Sequence, residues 1–194
     1  MATEYEWKFK TDRDTLISIN AAFPQKSREF QMETIYYDTA DLALSSRRHT
    51  LRRRLENGKS VCTLKTPAAE PNTRNEWETE NACIENAIDD LIAQGAPEEL
   101  KELAKPGLHP ICGAKFVRLA KDIHLGNAEL EMALDYGNLF GGGRKEPLCE
   151  IEIELKSGDI AACRHYAYDL ANTFGLEHEE RSKFKRALML YKGE

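Results

Sequence analysis

Five carboxylates on two alternating segments are the residues of this sequence best placed to do chemistry. Glu4-Tyr5-Glu6-Trp7-Lys8, read as an extended strand, puts Glu4, Glu6 and Lys8 on one face and Tyr5, Trp7 and Phe9 on the other. Near the other end, Glu150-Ile151-Glu152-Ile153-Glu154-Leu155 sets three carboxylates against three apolar residues in the same way. Same-face neighbours on a strand lie about 6.5–7 Å apart, from a rise of about 3.3 Å per residue. Like charges at that spacing repel, so stacked carboxylates call for a counter-charge or a cation. Two such segments point to a site for a polyvalent metal.

Basic residues occur on other alternating segments. Arg52 and Arg54 share a face of 50–56, and Lys65 lies on the segment that follows the Asn57-Gly58 turn. The next segment offers Arg74, Glu76 and Glu78, and later ones offer Arg118, then Glu129, Glu131 and Asp135. Opposite these stand Leu51, Leu55, Trp77, Leu130, Met132, Leu134, Ile151 and Ile153, a nearly continuous apolar surface that must be buried. Amphipathic helices are its natural cover, which leaves the charged face inside. A solvated sheet face is the plainer reading of such a pattern. Here, however, the charges are sorted by sign along strands. That sorting suits a cavity in which Arg and Lys meet a polyanion and carboxylates hold the divalent cations that bridge to it.

The elements that must position these residues follow from spacing. Asp12 caps a helix carrying Leu16, Ile17 and Ile19, ended near Pro24. Strands are expected over 33–39, 50–56, 60–65, 73–80, 111–124, 127–136 and the Glu150 segment. Ile84, Ile88, Leu91 and Ile92 mark a helix closed by Gly95, and a short one follows from Pro97 to Leu103. Asp159 begins a helix of about 15 residues, and a last one runs from about Glu180 to Tyr191. Gly141-Gly142-Gly143 reads as a flexible hairpin connection, since it has neither the Lys nor the strand-to-helix context of a phosphate loop. The Tyr36-Tyr37 pair leaves the strand register open by one residue. About eight mostly sequential strands predict an α+β fold, an antiparallel sheet closing into a barrel with helices packed on its outside.

Composition bounds the classes. With 194 residues, 41% hydrophobic and 31% charged, the chain predicts one globular domain over 1–194. The net charge of −6 argues against general nucleic-acid binding. No apolar run approaches the roughly 20 residues of a membrane span, and the charged opening predicts no signal peptide. The five cysteines are odd in number and lack CxxC spacing, which suits free thiols in a reducing cytoplasm.

On these residues the chain resembles the CYTH domain, or triphosphate tunnel metalloenzyme, superfamily. The ExExK signature is Glu4-Tyr5-Glu6-Trp7-Lys8. It is joined by Tyr36-Tyr37-Asp38-Thr39, Leu51-Arg52-Arg53-Arg54, Thr63-Leu64-Lys65, the 150–154 strand and Ser182-Lys183. The stretches 110–118, 131–137 and 146–159 are most similar to those of bacterial inorganic triphosphatases. The resemblance implies an eight-stranded antiparallel tunnel that binds a triphosphate and Mg²⁺ or Mn²⁺. It implies that Asp135, Glu150 and Glu152 hold one metal, and that Glu4 and Glu6, with Glu154, hold or orient a second and its water. Lys8, Arg52, Arg54, Lys65, Arg118 and Lys183 would neutralise the phosphates, with Arg74 ranked lower.

The expected reaction is hydrolysis of inorganic triphosphate to pyrophosphate and phosphate. A class IV-like adenylate cyclase, a thiamine triphosphatase and a non-catalytic polyphosphate- or nucleotide-binding module are the alternatives. The first two share the triphosphate site. The third would need only the basic set.

Overall fold

The computed structural model describes residues 2–3, 5–68 and 74–194. Alternation organises it. In chain order the elements are β1 (Ala2–Thr3), β2 (Glu6–Lys10), α1 (Arg13–Ala22), β3 (Arg28–Asp38), α2 (Ala43–Ser46), β4 (Thr50–Glu56), β5 (Lys59–Pro67) and β6 (Arg74–Glu80). They continue with α3 (Ile84–Ala93), α4 (Glu99–Ala104), β7 (His109–Leu125), β8 (Ala128–Gly141), β9 (Arg144–Gly158), α5 (Ile160–Phe174), β10 (Glu177–His178) and α6 (Lys183–Lys192). The strands form one antiparallel sheet in the order β1-β6-β5-β4-β3-β7-β8-β9-β2-β10. The fold is thus α+β. Ten strands are described where about eight are expected from the spacing of the alternating segments.

Paired residues on adjacent antiparallel strands point to the same side of a sheet. Glu6 pairs with Glu154 and Lys8 with Glu152; Asp135 pairs with Glu150 and with Arg118. Thr34 pairs with Arg54, Tyr36 with Arg52, Thr63 with Glu78 and Lys65 with Glu76. The charged residues of all these strands therefore share one face. On the other face, Phe9, Met132, Leu134, Ile151 and Ile153 pack with Leu16 and Ile19 of α1 and Cys163, Ala167 and Leu170 of α5. Further along it, Leu51, Leu64 and Trp77 pack with Ile84, Ile88 and Leu91 of α3 and Leu100 of α4. Burying one such side chain contributes about 1.5–3 kcal/mol, so these two clusters dominate the stability of the fold.

The expectation that every helix lies outside is corrected by α6. Its Ala187 packs with Met32, Tyr36, Ala114, Phe116, Leu139 and Leu148. Those residues share the parity of Arg118, Glu150 and Arg52, so α6 sits on the charged face. Gly141 and Gly142 make that seat possible. A Cβ on Gly141 would lie 2.5 Å from the Ala187 carbonyl oxygen, and one on Gly142 would lie 2.7 Å from that of Tyr191. The triple glycine links β8 to β9 as expected, but its first two members serve packing. α6 also starts later than periodicity suggests, because Ser182 is its N-cap and accepts from the Lys185 amide.

A bulge settles the Tyr36-Tyr37 register. Tyr36 pairs with Cys112 and Tyr37 with Pro110, so Ile111 is the extra residue. Tyr36 then faces α6, with its ring 4.9 Å from that of Phe184, and Tyr37 packs toward α3 and α4. The short helix α2 had no periodic signal. Asp38 explains it: its carboxylate accepts from the Thr39 amide at 2.8 Å, from Leu44 and Ser45 amides at 2.9 Å each, and from the Ser45 hydroxyl. The five cysteines are free, and no helix among the described residues is long and apolar enough to cross a membrane.

Asp38 is buried and satisfies three amides at once, so Asp38→Ala should lower unfolding stability by about 2–4 kcal/mol. Urea titration followed by circular dichroism checks this. A loss below about 0.5 kcal/mol would show that the α2 turn is held by other contacts.

Candidate active site

The charged face bounds a cavity of about 1380 Å³. Lys8, Arg52, Arg54, Lys65, Arg74, Arg118 and Lys183 line it, and so do Glu6, Glu152 and Glu154. Asp135 and Glu150 lie beneath this lining, fully buried. Glu4 lies outside the described residues.

One wall is mainly basic and comes from β4, β5 and β6. Arg52 Nη2 is 3.6 Å from both Glu76 and Glu78, and Lys65 Nζ is 3.3 Å from Glu76. Glu78 accepts from the Thr63 hydroxyl at 2.9 Å. Arg74 donates to the Arg48 carbonyl at 3.3 Å. Arg54 donates from Nη1 to Glu56 at 3.0 Å, while its buried Nε has no acceptor among the described residues. Burial pushes the Arg54 guanidinium pKa down, and the nearby Arg52 and Arg118 push it further. Glu56, Glu76 and Glu78 offset the positive charge of this wall in part.

The facing wall, from β2, β8 and β9, is acidic. The carboxylate oxygens of Asp135, Glu150 and Glu152 lie within 4.8 Å of one another. Arg118 holds Asp135 with two bonds, Nε at 2.8 Å and Nη2 at 2.7 Å, and also donates to Glu152. Lys183 Nζ is 2.8 Å from Asp135 and 2.8 Å from Glu152, and pairs with Glu150 as well. Arg186 donates to Glu150. Lys8 Nζ reaches Glu6 at 3.3 Å.

The electrostatics follow from this crowding. Burial works against the charge of Lys183, but Asp135, Glu150 and Glu152 outweigh it and raise its pKa. Burial likewise opposes the Glu152 carboxylate, and Lys183, Arg118 and Lys8 overcome that to hold it well below the usual range. Glu150 goes the other way: burial pushes it up, and Glu152 and Asp135 add to the effect against Lys183 and Arg186. Lys8 is raised against its burial by Glu6, Glu152 and Glu150.

Sequence reasoning missed Arg186. A signal for it existed, since it lies one turn after Lys183 and residues at that spacing share a helix face. It also missed Arg28, Asp122 and Lys156 at the far end of the acidic wall. There Arg28 pairs with Asp122 and reaches Glu131 at 2.7 Å, and Lys156 lies 2.8 Å from Glu154. Glu179, beside the cavity, is held at about 2 by hydrogen bonds from Arg181.

Comparison with known proteins places the chain. The model of the CYTH domain family matches residues 2–188. The inorganic triphosphatase of Haemophilus influenzae is 28% identical over 158 residues, which cover 80% of this chain and 44% of that protein. The chain thus spans less than half the length of this relative. Among solved structures, HpAC1 from Hippeastrum, described with a dominant triphosphatase activity, superposes with a TM-score of 0.66 at 18% identity, covering 100% of this chain and 97% of that one. The PH1819 protein from Pyrococcus horikoshii does so at 0.63 and 20% identity, covering 95% and 98%. These two likenesses carry the fold.

Arg186→Met should leave the buried Glu150 short of a counter-charge and lower stability by about 3–5 kcal/mol. The measurement is the urea midpoint against wild type. An unchanged midpoint would mean that Lys183 alone suffices for Glu150.

Proposed function

The chain belongs to the CYTH domain family, and on that premise we propose that it hydrolyses inorganic triphosphate to pyrophosphate and phosphate with the help of a divalent cation. The single observation that best supports this is the two-sided cavity. A basic wall, in which the buried Arg54 Nε has no acceptor among the described residues, faces a wall of clustered carboxylates. A polyanion supplies what the first wall lacks, and a cation bridges it to the second. The name of the Haemophilus influenzae relative agrees with this reading.

We read residues 1–194 as one domain whose sheet closes into an eight-stranded tunnel. β6 pairs with β1 at one side of the strand order and β9 with β2 at the other. Counting β1 and β2 as one N-terminal strand, and setting aside the two-residue β10, leaves eight strands.

Asp135, Glu150 and Glu152 fit a hard divalent cation, being three carboxylates with oxygens within 4.8 Å. Mg²⁺ and Mn²⁺ both suit oxygen donors shared with phosphate, and Glu6 and Glu154, with Glu4, offer oxygens for a second ion. When bound, such a cation neutralises phosphate oxygens and lowers the pKa of bound water. The chain's own residues do the rest. Arg52 and Arg54 present planar forks of donors to the phosphates, which fixes their orientation. Lys8, Lys65, Arg118 and Lys183 spread positive charge along the phosphate chain where the leaving group gains negative charge. Glu6, part-exposed beside Lys8, orients the attacking water.

One observation favours a second reading. The cavity, at about 1380 Å³, exceeds the roughly 300–1,000 Å³ of a typical small-molecule site. Tyr5, Trp7, Tyr168 and His178 line part of it. A triphosphate bearing an aromatic ring, as in ATP or thiamine triphosphate, would find room there.

A substrate panel with Mg²⁺ or Mn²⁺ separates the readings. Phosphate release from tripolyphosphate in preference to ATP and thiamine triphosphate is expected. Cyclic AMP from ATP would instead establish a cyclase, and no turnover of any of them a binding module. Glu152→Gln should lower kcat about 100-fold or more. Arg54→Ala should weaken tripolyphosphate binding about tenfold, as read by calorimetry in the presence of EDTA. Wild-type affinity in Arg54→Ala would remove the basic wall from the binding site.

A further inference from the structure

The three carboxylates that fit a divalent cation are already gathered around an ammonium. Lys183 Nζ is 2.8 Å from Asp135 Oδ2, 2.8 Å from Glu152 Oε1, and paired with Glu150. The other oxygen of each carboxylate is bonded to Arg118 or Arg186, so a divalent cation, at about 2.0–2.6 Å from its ligands, would compete with Lys183 for these three. Two cations on one set of three oxygens would stand a few Å apart and repel each other strongly in a buried site.

Charge leads to the same result. Asp135, Glu150 and Glu152 carry three negative charges, and Lys183, Arg118 and Arg186 supply three positive ones. Adding a divalent cation with Lys183 in place would leave two uncompensated positive charges. Asp135 and Glu150 are 0% exposed, so solvent is poorly placed to screen that excess. An unpaired buried charge costs several kcal/mol. Arg118 and Arg186 are poor candidates to leave. Arg118 makes two bonds to Asp135, and Arg186 is itself buried on the inner side of α6. Lys183 lines the cavity, and its stem is flexible.

We propose that Lys183 and the divalent cation occupy the Asp135–Glu150–Glu152 triad in exchange, the ammonium turning from the carboxylates to phosphate oxygens as the metal arrives. The inference rests on the reading of the cavity as a metal-using triphosphate site. Its consequence is thermodynamic. Metal alone must evict Lys183 with no new partner for the ammonium, so it binds weakly. Metal with triphosphate gives Lys183 an anion to move to, so each ligand raises the affinity for the other. The lysine thereby holds the carboxylates together in the empty protein and couples the two ligands on filling.

The test measures metal binding without phosphate. Free Mn²⁺ is titrated by electron paramagnetic resonance into wild type, Lys183→Met and Lys183→Arg. Lys183→Met should bind Mn²⁺ at least tenfold tighter than wild type, and Lys183→Arg no tighter than wild type. Equal or weaker binding by Lys183→Met overturns the exchange. A further measurement needs no variant, should Lys183→Met fail to fold. Wild type is acetylated with acetic anhydride and Lys183 modification is quantified by mass spectrometry. Mn²⁺ should raise labelling of Lys183 several-fold relative to Lys121, which is bonded to the Phe23 and Gln25 carbonyls. Unchanged or reduced labelling overturns the proposal. Phosphate release by wild type, assayed separately, reports on the triphosphatase reading whichever way the Mn²⁺ measurements fall.

Discussion

The arrangement depends on one electrostatic constraint: three carboxylates buried on neighbouring strands must be matched by cations. Asp135 and Glu150 face each other across β8 and β9, and Glu152 follows on the same face. Removing such groups from water is costly unless each is paired and hydrogen-bonded. The sheet supplies one counter-ion, Arg118, from the strand next to Asp135. The other two, Lys183 and Arg186, come from α6. The last helix is therefore drawn to the inner face, where apolar contact alone would hold it weakly. Ala187 is its one fully buried apolar residue, and Phe184, Leu188 and Leu190 are only partly covered.

This separates the forces that shape the fold from those that shape the site. Two apolar clusters outside the sheet, one under α1 and α5 and one under α3 and α4, need none of the charged residues. They can pay for the sheet while the inner face carries a charge pattern that adds little net stability. Segregation by strand keeps that pattern from cancelling. Arg52, Arg54 and Lys65 lie near Glu56, Glu76 and Glu78, while the triad carboxylates lie across β8 and β9. Fixed charges on opposing walls are already oriented toward a ligand of mixed charge, which is the economical form of electrostatic stabilisation.

Much of this was legible in the sequence, for a physical reason. A strand shows its two faces as a period of two, so the alternating charges at 4–8, 50–54, 60–65, 74–78 and 150–155 gave the strands and the shared charged face together. Helices capped by Asp12 and Asp159 were equally open, because a cap is a local hydrogen bond. What alternation did not carry was hidden. The first half of β3, Arg28-Glu29-Phe30-Gln31-Met32, does not alternate cleanly in polarity. The helix α2 exists because Asp38 reaches forward to Leu44 and Ser45, a contact with no periodic trace. The side on which α6 packs was indicated only by the resemblance that set Lys183 in the cavity, not by periodicity. Its amphipathic pattern shows that one face is buried, not which face of the sheet it meets. The pairings of Lys183 and Arg186 with the triad carboxylates decide that.

The same logic explains why Asp135 and Glu150 sit below the cavity lining instead of in it. A carboxylate exposed to the cavity is solvated and needs less pairing, as with the part-exposed Glu6, which meets Lys8 at 3.3 Å. A carboxylate beneath the lining has no such freedom, and its cation becomes part of the structure. Glu152 stands between these cases, bonded below to Lys183 and Arg118 and open above to the cavity. It is the residue through which a change in the triad's cation would be felt by whatever lies in the cavity. The fold thus joins a buried charge cluster to a wide polar space through a single carboxylate, with the movable lysine on the same residue.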